Sequence, residues 1–202
     1  MPGLTWFKEA IQQVLPEVAL SDGQFSALYS HFELLCRWNQ KMDLTSVVTP
    51  EEIVNRHYCE SLFFGAQIPE EREELSVVDF GSGAGFPGFP LAVLRPKWRI
   101  ILLEANQRRG VFLKEASRSL LNVRVEVQRG DAFHERHDWV VARAVKVADV
   151  LRSIPTIAPR IGLLIGASSA RELFKETCCR WKPPIKIPGS DARCCLLGDC
   201  ST

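Results

Sequence analysis

The sequence contains no long hydrophobic run, and charged residues already appear within its first ten positions, at Lys8 and Glu9. A helix that crosses a bilayer needs about 20 consecutive apolar residues, and a secretion signal needs an apolar segment close to the start of the chain. We therefore expect neither a transmembrane helix nor a signal peptide, no interaction with a membrane, and a location in the cytoplasm.

The sequence also lacks the cysteine spacing that is typical of zinc sites and of small secreted domains. It has seven cysteines, and no two of them form a Cys-x-x-Cys pair. Five lie near the C-terminus, at Cys178, Cys179, Cys194, Cys195 and Cys200. An odd number of cysteines in a chain of 202 residues does not suit a secreted disulfide framework, and structural zinc sites usually use paired cysteines. We expect reduced thiols and no metal.

Charge is balanced over the whole chain but not along it. The net charge is +1, with 46% hydrophobic and 24% charged residues, which is the composition of a globular protein. Residues 1–94 contain 5 Lys and Arg against 13 Asp and Glu, whereas residues 95–202 contain 20 against 11. A basic region can bind a polyanion, but a solvated surface of mixed charge would give the same count.

The spacing of apolar residues divides the chain into a helical region and a region of alternating strands and helices. Helical periodicity predicts helices over Leu4–Leu15, from a capping box at Ser21 to about Trp38, and from a second box at Thr49 through Leu62. Short apolar runs predict strands at Ser76–Phe80, Arg99–Glu104, Val123–Gln128, Trp139–Ala142 and Ile161–Ile165, then a weak hairpin of Ile185–Ile187 and Cys195–Leu197. Between the strands we expect helices at Phe89–Leu94 and Arg108–Leu121, an amphipathic segment from Arg143 through Ile154, and a short helix near Glu172–Thr177.

Strands that alternate with helices indicate an α/β fold, with a mostly parallel, doubly wound sheet covered on both faces. We expect residues 1–70 to form an N-terminal helical cap and residues 71–202 to form a Rossmann-like α/β domain. The cap and the domain would make one compact unit. We expect this unit to be a monomer.

A glycine-rich turn directly follows the first predicted strand. The strand carries Asp79 near its end, and Gly81, Gly83, Gly85 and Gly88 follow within a few residues. Glycine can take a positive φ and lets a ligand approach the backbone without a Cβ in the way. In open α/β sheets, ligands bind beyond the carboxyl ends of the strands. The turn therefore predicts a ligand site.

Polar residues at the ends of the next strands extend this site. Glu104 ends the second strand, Asp131 follows the third, and Arg143 follows the fourth. An acid after the second strand can accept hydrogen bonds from a ribose diol, and an acid after the third can accept one from an adenine amino group. The pattern indicates a ligand that contains adenosine.

Two adenosine-containing ligands fit the turn to different degrees. Gly83–Gly88 matches the Gly-x-Gly-x-x-Gly dinucleotide fingerprint, with Glu104 about 20 residues further on. That fingerprint leaves Asp79 and Gly81 unused and has Pro87 among its glycines. The acid-x-Gly-x-Gly-x-Gly motif of S-adenosylmethionine-dependent methyltransferases accounts for all of them. We favour the methyl donor and keep an NAD-binding Rossmann oxidoreductase as the alternative.

Two common classes of nucleic-acid methyltransferase lack their motifs here. No Pro-Cys occurs, as an attack on cytosine carbon would need, and no Asn/Asp-Pro-Pro-Tyr/Phe occurs, which exocyclic-amine enzymes typically carry. Ring nitrogen 7 of guanine has an in-plane lone pair and needs no general base. Catalysis at such an atom would depend on alignment and electrostatics.

From about Trp38 to Arg193 the sequence resembles the bacterial RsmG (GidB) family. Gly81–Ala92 is similar to the family's Gly-x-Gly-x-Gly-x-Pro-Gly-x-Pro-Leu-Ala. Shorter similar stretches are Asp43–Ser46, Arg56–Ser61, Ala142–Val145, and Gly189 with Arg193. The resemblance implies methyl transfer from S-adenosylmethionine, with S-adenosylhomocysteine as product, to ring nitrogen 7 of a guanosine in 16S rRNA. The expected partner is that rRNA or the small ribosomal subunit.

The motif and the resemblance together predict the site residues, with no residue assigned to the chemical step. Donor contacts are expected at Asp79, Gly81, Gly83, Gly85, Phe86, Glu104, Ala105, Asp131, Ala132 and Arg143. Arg143, His57 and Arg56 are candidates for positioning, and the resemblance implies that Arg56 and His57 meet RNA. A buried histidine bonded to a neighbour is the alternative for His57.

The chain departs from the family pattern at several positions. Asp43 replaces Asn, Glu60 replaces Asp, Ala142 replaces Ser, Cys194 replaces His, and Gly166–Ser168 replaces Lys-Gly. Because the acceptor side matches less closely than the donor side, a non-catalytic RNA-binding module with a methyltransferase-like fold stays as a further alternative.

Overall fold

The computed structural model describes residues 1–175, 177–190 and 192–200. Its N-terminal region is helical. Helix α1 spans Leu4–Val14, α2 spans Asp22–Asn39, and the short α3 spans Pro50–Ile53. The last of these continues through a π-helical segment, Val54–Cys59, into α4, Glu60–Gln67.

The starts of these helices follow from capping side chains. Ser21 Oγ accepts a hydrogen bond from the Gln24 backbone N–H, and the Gln24 side chain accepts one from the Ser21 N–H, which completes the predicted capping box. Thr49 Oγ1 accepts from the Glu52 N–H, with Pro50 at the first helical position. The first capping box is confirmed in full, whereas the second is confirmed only for the Thr49 cap, because Glu52 Oε2 accepts from the Thr49 hydroxyl and does not complete the box.

An eight-stranded, mostly parallel sheet forms the centre of the fold, as predicted. Its strands are β1 Ser76–Phe80, β2 Arg99–Glu104, β3 Val123–Val127, β4 Trp139–Arg143, β5 Arg160–Gly166, β6 Arg180–Trp181, β7 Ile185–Lys186 and β8 Arg193–Asp199. The spatial order is β3-β2-β1-β4-β5-β8-β6, and β7 also pairs with β8. The first five strands are parallel, and β8 runs antiparallel to β5.

The helices that follow the strands are α5 Gly88–Leu94, α6 Gln107–Ala116, α7 Val147–Ile157 and α8 Ala167–Leu173. The prediction that α6 reaches Leu121 is wrong. Ser117 Oγ donates to the Leu113 carbonyl at 2.7 Å, and the chain then turns. A short helix predicted near Glu172–Thr177 begins earlier, at Ala167, and ends at Leu173. Its Glu176 lies outside the described residues.

Apolar side chains form one cluster on each face of the sheet. Val77 belongs to the cluster that also contains Phe7, Phe32 and Tyr58 of the N-terminal helices. Its neighbour Val78 belongs to the cluster formed with α7 and α8. Adjacent strand residues point to opposite faces, so β1 is buried on both. The proposed division at residues 70 and 71 stays a prediction, and the first cluster shows that side chains from both parts pack together.

The expectation of reduced thiols is wrong for two cysteines, because Cys179 and Cys200 form a disulfide. The antiparallel pairing of Arg180 with Asp199 brings the two flanking cysteines side by side. That pairing of β6 with β8 cannot be read from cysteine spacing.

Two negative findings apply to the described part of the chain. No helix there is long and apolar enough to cross a membrane. Within the same residues, no group of three His, Cys, Asp or Glu side chains is placed to hold a metal ion.

Candidate functional site

The glycine turn has the backbone conformation that its sequence predicts. Gly81, Gly83 and Gly85 have φ values of 74°, 58° and 91°, in the left-handed region that favours glycine. The N–H groups of Gly81 and Ser82 donate to the Leu103 carbonyl at 2.8 and 3.0 Å, which fastens the turn to β2. The result is a rigid backbone concavity at the carboxyl ends of β1 and β2.

Asp79 supports this turn from inside the protein. Its side chain is fully buried. Oδ2 accepts hydrogen bonds from Ser82 Oγ at 2.8 Å and from the Gly88 N–H at 2.9 Å, whereas the buried Oδ1 has no partner. Burial raises the pKa of Asp79 to about 7, against the lowering effect of those two donors. A protonated Asp79 would therefore be substantially populated near neutral pH.

Glu104 joins the turn to the end of β2. Its buried carboxylate accepts from the Gly83 N–H through Oε2 at 2.9 Å and from the Asn106 N–H through Oε1 at 2.8 Å. A carboxylate oxygen has two lone pairs, so each oxygen can accept one further hydrogen bond. The carboxylate is thus fixed in place and retains capacity for a diol.

A cleft of about 500 Å³ opens beside the turn. Five of the predicted donor contacts and both predicted RNA contacts line it. Its lining includes Gly81, Gly83, Phe86, Glu104, Arg143, His57, Arg56, Arg109, Arg193 and the loop Leu44–Val47. Asp79 and Gly85 lie beneath the turn and are buried, outside this lining.

The other predicted donor contacts, Ala105, Asp131 and Ala132, line a separate pocket or none. Ala105 and Asp131 line a neighbouring pocket of about 450 Å³, together with Phe80. Asp131 is exposed and accepts from the Arg129 guanidinium, with a shortest contact of 3.0 Å, and this hydrogen bond lowers its pKa. Ala132 is exposed and lies outside both linings. An adenine contact at Asp131 stays a prediction.

His57 is buried and bonded to a neighbour, and it also lines the cleft. Its Nε2 lies 2.7 Å from Thr45 Oγ1, and its ring stacks on Phe86 with a centroid distance of 4.8 Å. Burial and then the charges of Arg143, Arg193 and Arg56 lower the pKa of His57 to about 3. The imidazole is therefore neutral at physiological pH, and its positioning role stays a prediction.

An ion cluster that sequence reasoning did not assemble lies behind the cleft. Glu60 Oε2 contacts Arg143 Nη2 at 3.1 Å and Arg193 Nη1 at 2.8 Å. Burial raises the pKa of Glu60 and lowers the pKa of Arg143 to about 10, which means that desolvation outweighs the pairing for both. Arg143 Nη1 is buried without a partner. The one sequence signal is the spacing of Glu60 from His57, three residues apart on one helix.

A second contact that the sequence did not reveal joins α2 to the glycine turn. His31 Nε2 lies 3.0 Å from the Ala84 carbonyl oxygen, and Nδ1 lies 2.6 Å from the Tyr58 hydroxyl. Because a carbonyl can only accept, Nε2 carries the proton and Nδ1 accepts from Tyr58. Burial lowers the pKa of His31 to about 3, which keeps the ring neutral. In the sequence, His31 stands on the apolar side of α2 and resembles an ordinary core position.

Comparison with known proteins identifies relatives of this chain. The model of the family described as GidB, rRNA small subunit methyltransferase G, matches residues 24–168. A ribosomal RNA small subunit methyltransferase G from Xanthomonas campestris is 33% identical over 183 residues, which cover 83% of both chains. The protein of the same name from Nitrosomonas europaea is 36% identical over 137 residues, which cover 65% of this chain and 62% of that relative. The match thus spans less than two thirds of that relative's length.

A solved structure shows the same fold at low sequence identity. The crystal structure of a SAM-dependent methyltransferase from Aquifex aeolicus superposes with a TM-score of 0.60 at 10% identity, over 82% of this chain and 98% of that chain. This likeness extends to the fold alone. The family match covers most of the chain and includes the glycine turn, Glu104 and Arg143. The chain therefore belongs to the GidB family, the rRNA small subunit methyltransferases G.

Proposed function

We propose that this protein transfers a methyl group from S-adenosylmethionine to ring nitrogen 7 of a guanosine in 16S rRNA. One observation carries the proposal. A single cleft in a member of this family places the backbone of the glycine turn and Glu104 beside the side chains of Arg56, Arg143 and Arg193. The turn suits a nucleoside-containing donor, and the arginines suit an RNA acceptor.

The donor half of the site fits S-adenosylmethionine through groups already held in place. Gly81 and Gly83 expose backbone in a conformation that leaves no side chain in the way, and Glu104 retains lone pairs for ribose hydroxyls. The adenine would extend toward the pocket of Ala105 and Asp131, where Asp131 would exchange its contact with Arg129. When bound, the donor supplies an electrophilic methyl group on a sulfonium.

The acceptor half has the groups that a ring nitrogen needs. Its attacking lone pair lies in the plane of the base, so no side chain has to remove a proton first. The low pKa of His57, about 3, makes it a neutral hydrogen-bonding group in the cleft. The guanidinium of Arg143, which lines the cleft, would hold the acceptor base or the donor carboxylate. Alignment and electrostatics would supply the rate enhancement.

Cationic side chains at the cleft support RNA as the partner. Arg56 is exposed, and Arg109 and Arg193 are partly exposed, so all three can reach phosphates. We propose that the protein meets 16S rRNA or the small ribosomal subunit as a monomer in the cytoplasm. Residues 1–70 would act as a cap over the methyltransferase domain of residues 71–202.

Calorimetry with S-adenosylmethionine, S-adenosylhomocysteine and NAD tests the donor. We expect the two sulfur ligands to bind and NAD not to bind. NAD binding without either sulfur ligand would favour the oxidoreductase alternative and contradict the proposal.

A methyl-transfer assay on isolated small subunits, with 7-methylguanosine located by chemical cleavage and primer extension, tests the acceptor. We expect transfer by the wild type, loss of transfer in Arg143→Gln, and wild-type transfer in the control Arg118→Gln, because Arg118 is exposed and outside the cleft. Tight, salt-dependent binding of subunits without transfer would instead indicate a non-catalytic RNA-binding module.

A further inference from the structure

The buried carboxylate of Glu60 lies directly behind the cationic wall of the cleft. Its side chain is 6% exposed, and the side chain of Arg143 is 7% exposed. One oxygen, Oε2, contacts both Arg143 Nη2 and Arg193 Nη1. Glu60 itself does not line the cleft, whereas both arginines do. Glu60 would therefore affect a ligand only by positioning the two arginines or through the electrostatic field of its own carboxylate.

The sheet register places this cluster beside the glycine turn. Asp79 of β1 pairs with Val141 of β4, so Arg143 at the end of β4 is level with Gly81. A Cβ added to Gly81 would lie 2.6 Å from a methyl group of Val145, which shows how closely the chain after Arg143 crosses the turn. The proposed donor would bind at this turn. Arg143 lies between the turn and Glu60, because it lines the cleft and also contacts the Glu60 carboxylate.

If the negative charge of Glu60 were absent, the arginines of the cleft would repel a positively charged methyl donor. Arg56, Arg143 and Arg193 all line the cleft, and Glu60 is the carboxylate that both Arg143 and Arg193 contact. S-adenosylmethionine carries a positive sulfonium at the atom that gives up the methyl group, whereas S-adenosylhomocysteine has a neutral thioether at the same place. Without the charge of Glu60, the four guanidinium groups of the lining, which include Arg109, would face only the carboxylate of Glu104, and this excess of positive charge would favour the product over the substrate.

We propose that Glu60 is a positioning residue that holds Arg143 and Arg193 in place and offsets their charge, so that the cleft accepts the sulfonium of the methyl donor. The proposal rests on the proposed use of S-adenosylmethionine. Its position after the π-helical segment fits this role, because such segments are frequent at functional sites.

The test compares the dissociation constants of S-adenosylmethionine and S-adenosylhomocysteine by calorimetry. Both ligands share the carboxylate, the ribose and the adenine, so the ratio of their constants isolates the sulfonium. In Glu60→Gln we expect the dissociation constant of S-adenosylmethionine, divided by that of S-adenosylhomocysteine, to rise roughly tenfold. This is the size expected for opposite charges about 10 Å apart at an effective dielectric constant of about 20. A purely structural role would weaken both ligands equally.

Three further variants complete the test. Glu60→Asp keeps the charge, so its ratio should stay near the wild-type value. Arg193→Gln removes a positive charge, so its ratio should shift in the opposite direction, toward the substrate. The control Glu115→Gln, at an exposed position of α6, should change neither constant.

The outcomes separate this inference from the proposed function. If the wild type binds neither sulfur ligand, the proposed function fails. If the wild type binds both and Glu60→Gln leaves the ratio unchanged, the role of Glu60 is refuted while the function stands. If Glu60→Gln does not fold, the double variant Glu60→Gln/Arg193→Gln, which removes both partners of the ion pair, is compared with Arg193→Gln, and equal ratios in the two overturn the proposal.

Discussion

Replacing Asp79 with Asn should remove a loss of stability that the wild type undergoes as the pH rises from about 4 to about 7. The Asp79 side chain is fully buried, and its Oδ1 has no hydrogen-bond partner. Asparagine keeps an oxygen that can accept from Ser82 Oγ and the Gly88 N–H, and it replaces the other oxygen with an NH2 group that does not ionise. The substitution therefore tests what the buried charge costs.

The expected size follows from the pKa of Asp79, which burial raises from 3.8 to about 7. Because the native pKa lies above the unfolded one, the native state binds the proton more tightly, and stability falls as pH rises from about 4 to about 7. A difference of about 3 pH units corresponds to about 4 kcal/mol in the free energy of unfolding. We expect the free energy of unfolding of Asp79→Asn, measured relative to that of the wild type, to increase by roughly that amount as the pH rises from 4 to 8.

Urea denaturation of both proteins at several pH values measures this difference. His31 and His57, whose pKa values are lowered to about 3, destabilise the fold as pH falls below 6.5, but they do so in both proteins and cancel in the comparison. The control Asp43→Asn, at an exposed position, should show no such change. A difference between wild type and Asp79→Asn that stays constant from pH 4 to pH 8 would refute the assigned cost.

Four further substitutions test local packing and hydrogen bonding, with the free energy of unfolding as the measurement. A Cβ at Gly88 would lie 2.4 Å from a Leu102 methyl group, so Gly88→Ala should cost about 1–3 kcal/mol. Gly23→Ala, whose Cβ meets nothing nearer than 3.9 Å, should be neutral or slightly stabilising. Tyr58→Phe leaves His31 Nδ1 without its donor and should cost about 1–3 kcal/mol. Asn122→Ala, which removes the amide that bonds three carbonyl oxygens, should cost about 1–2 kcal/mol. Stabilities equal to the wild type would contradict each destabilising case.

The elements that could be predicted from the sequence are those whose signals are local. The predicted bounds of β1 and β2 agree with the observed ones because each continuous apolar run ends at a polar or glycine residue. The start of α2 agrees because Ser21 and Gln24 form a capping box there. The π-helical segment has no local signal. Residues 54–59 pack against the turn through the stacking of His57 on Phe86, which depends on a contact distant in sequence.

The last strand shows the same limit. Only Cys195–Leu197 was predicted, whereas β8 runs from Arg193 to Asp199. Its ends are polar and would not be recognised as strand alone. They become strand because β8 pairs along its whole length with β5, from Arg160 opposite Asp199 to Gly166 opposite Arg193. Long-range pairing fixed those bounds.

For the site, sequence spacing could identify groups that follow one another along successive strands, but not groups that meet from different parts of the fold. Glu104 and Arg143 were found because each ends a strand. The contact of Glu60 with Arg193 joins α4 to β8, 133 residues apart, and that of His31 with Ala84 joins α2 to the turn. Both contacts support the turn or the cleft wall, and both required the three-dimensional structure.

The departures from the family pattern can now be weighed by position. Ala142 and Cys194 are buried in the apolar cluster beneath α7 and α8, and neither lines the cleft. Asp43 is exposed and also lies outside the lining. Glu60 keeps the negative charge of the residue it replaces and still reaches both arginines. Gly166–Ser168 likewise lie outside the lining. Because none of these five departures lies in the cleft lining, they give no physical reason for lost turnover, and we expect catalysis rather than RNA binding alone.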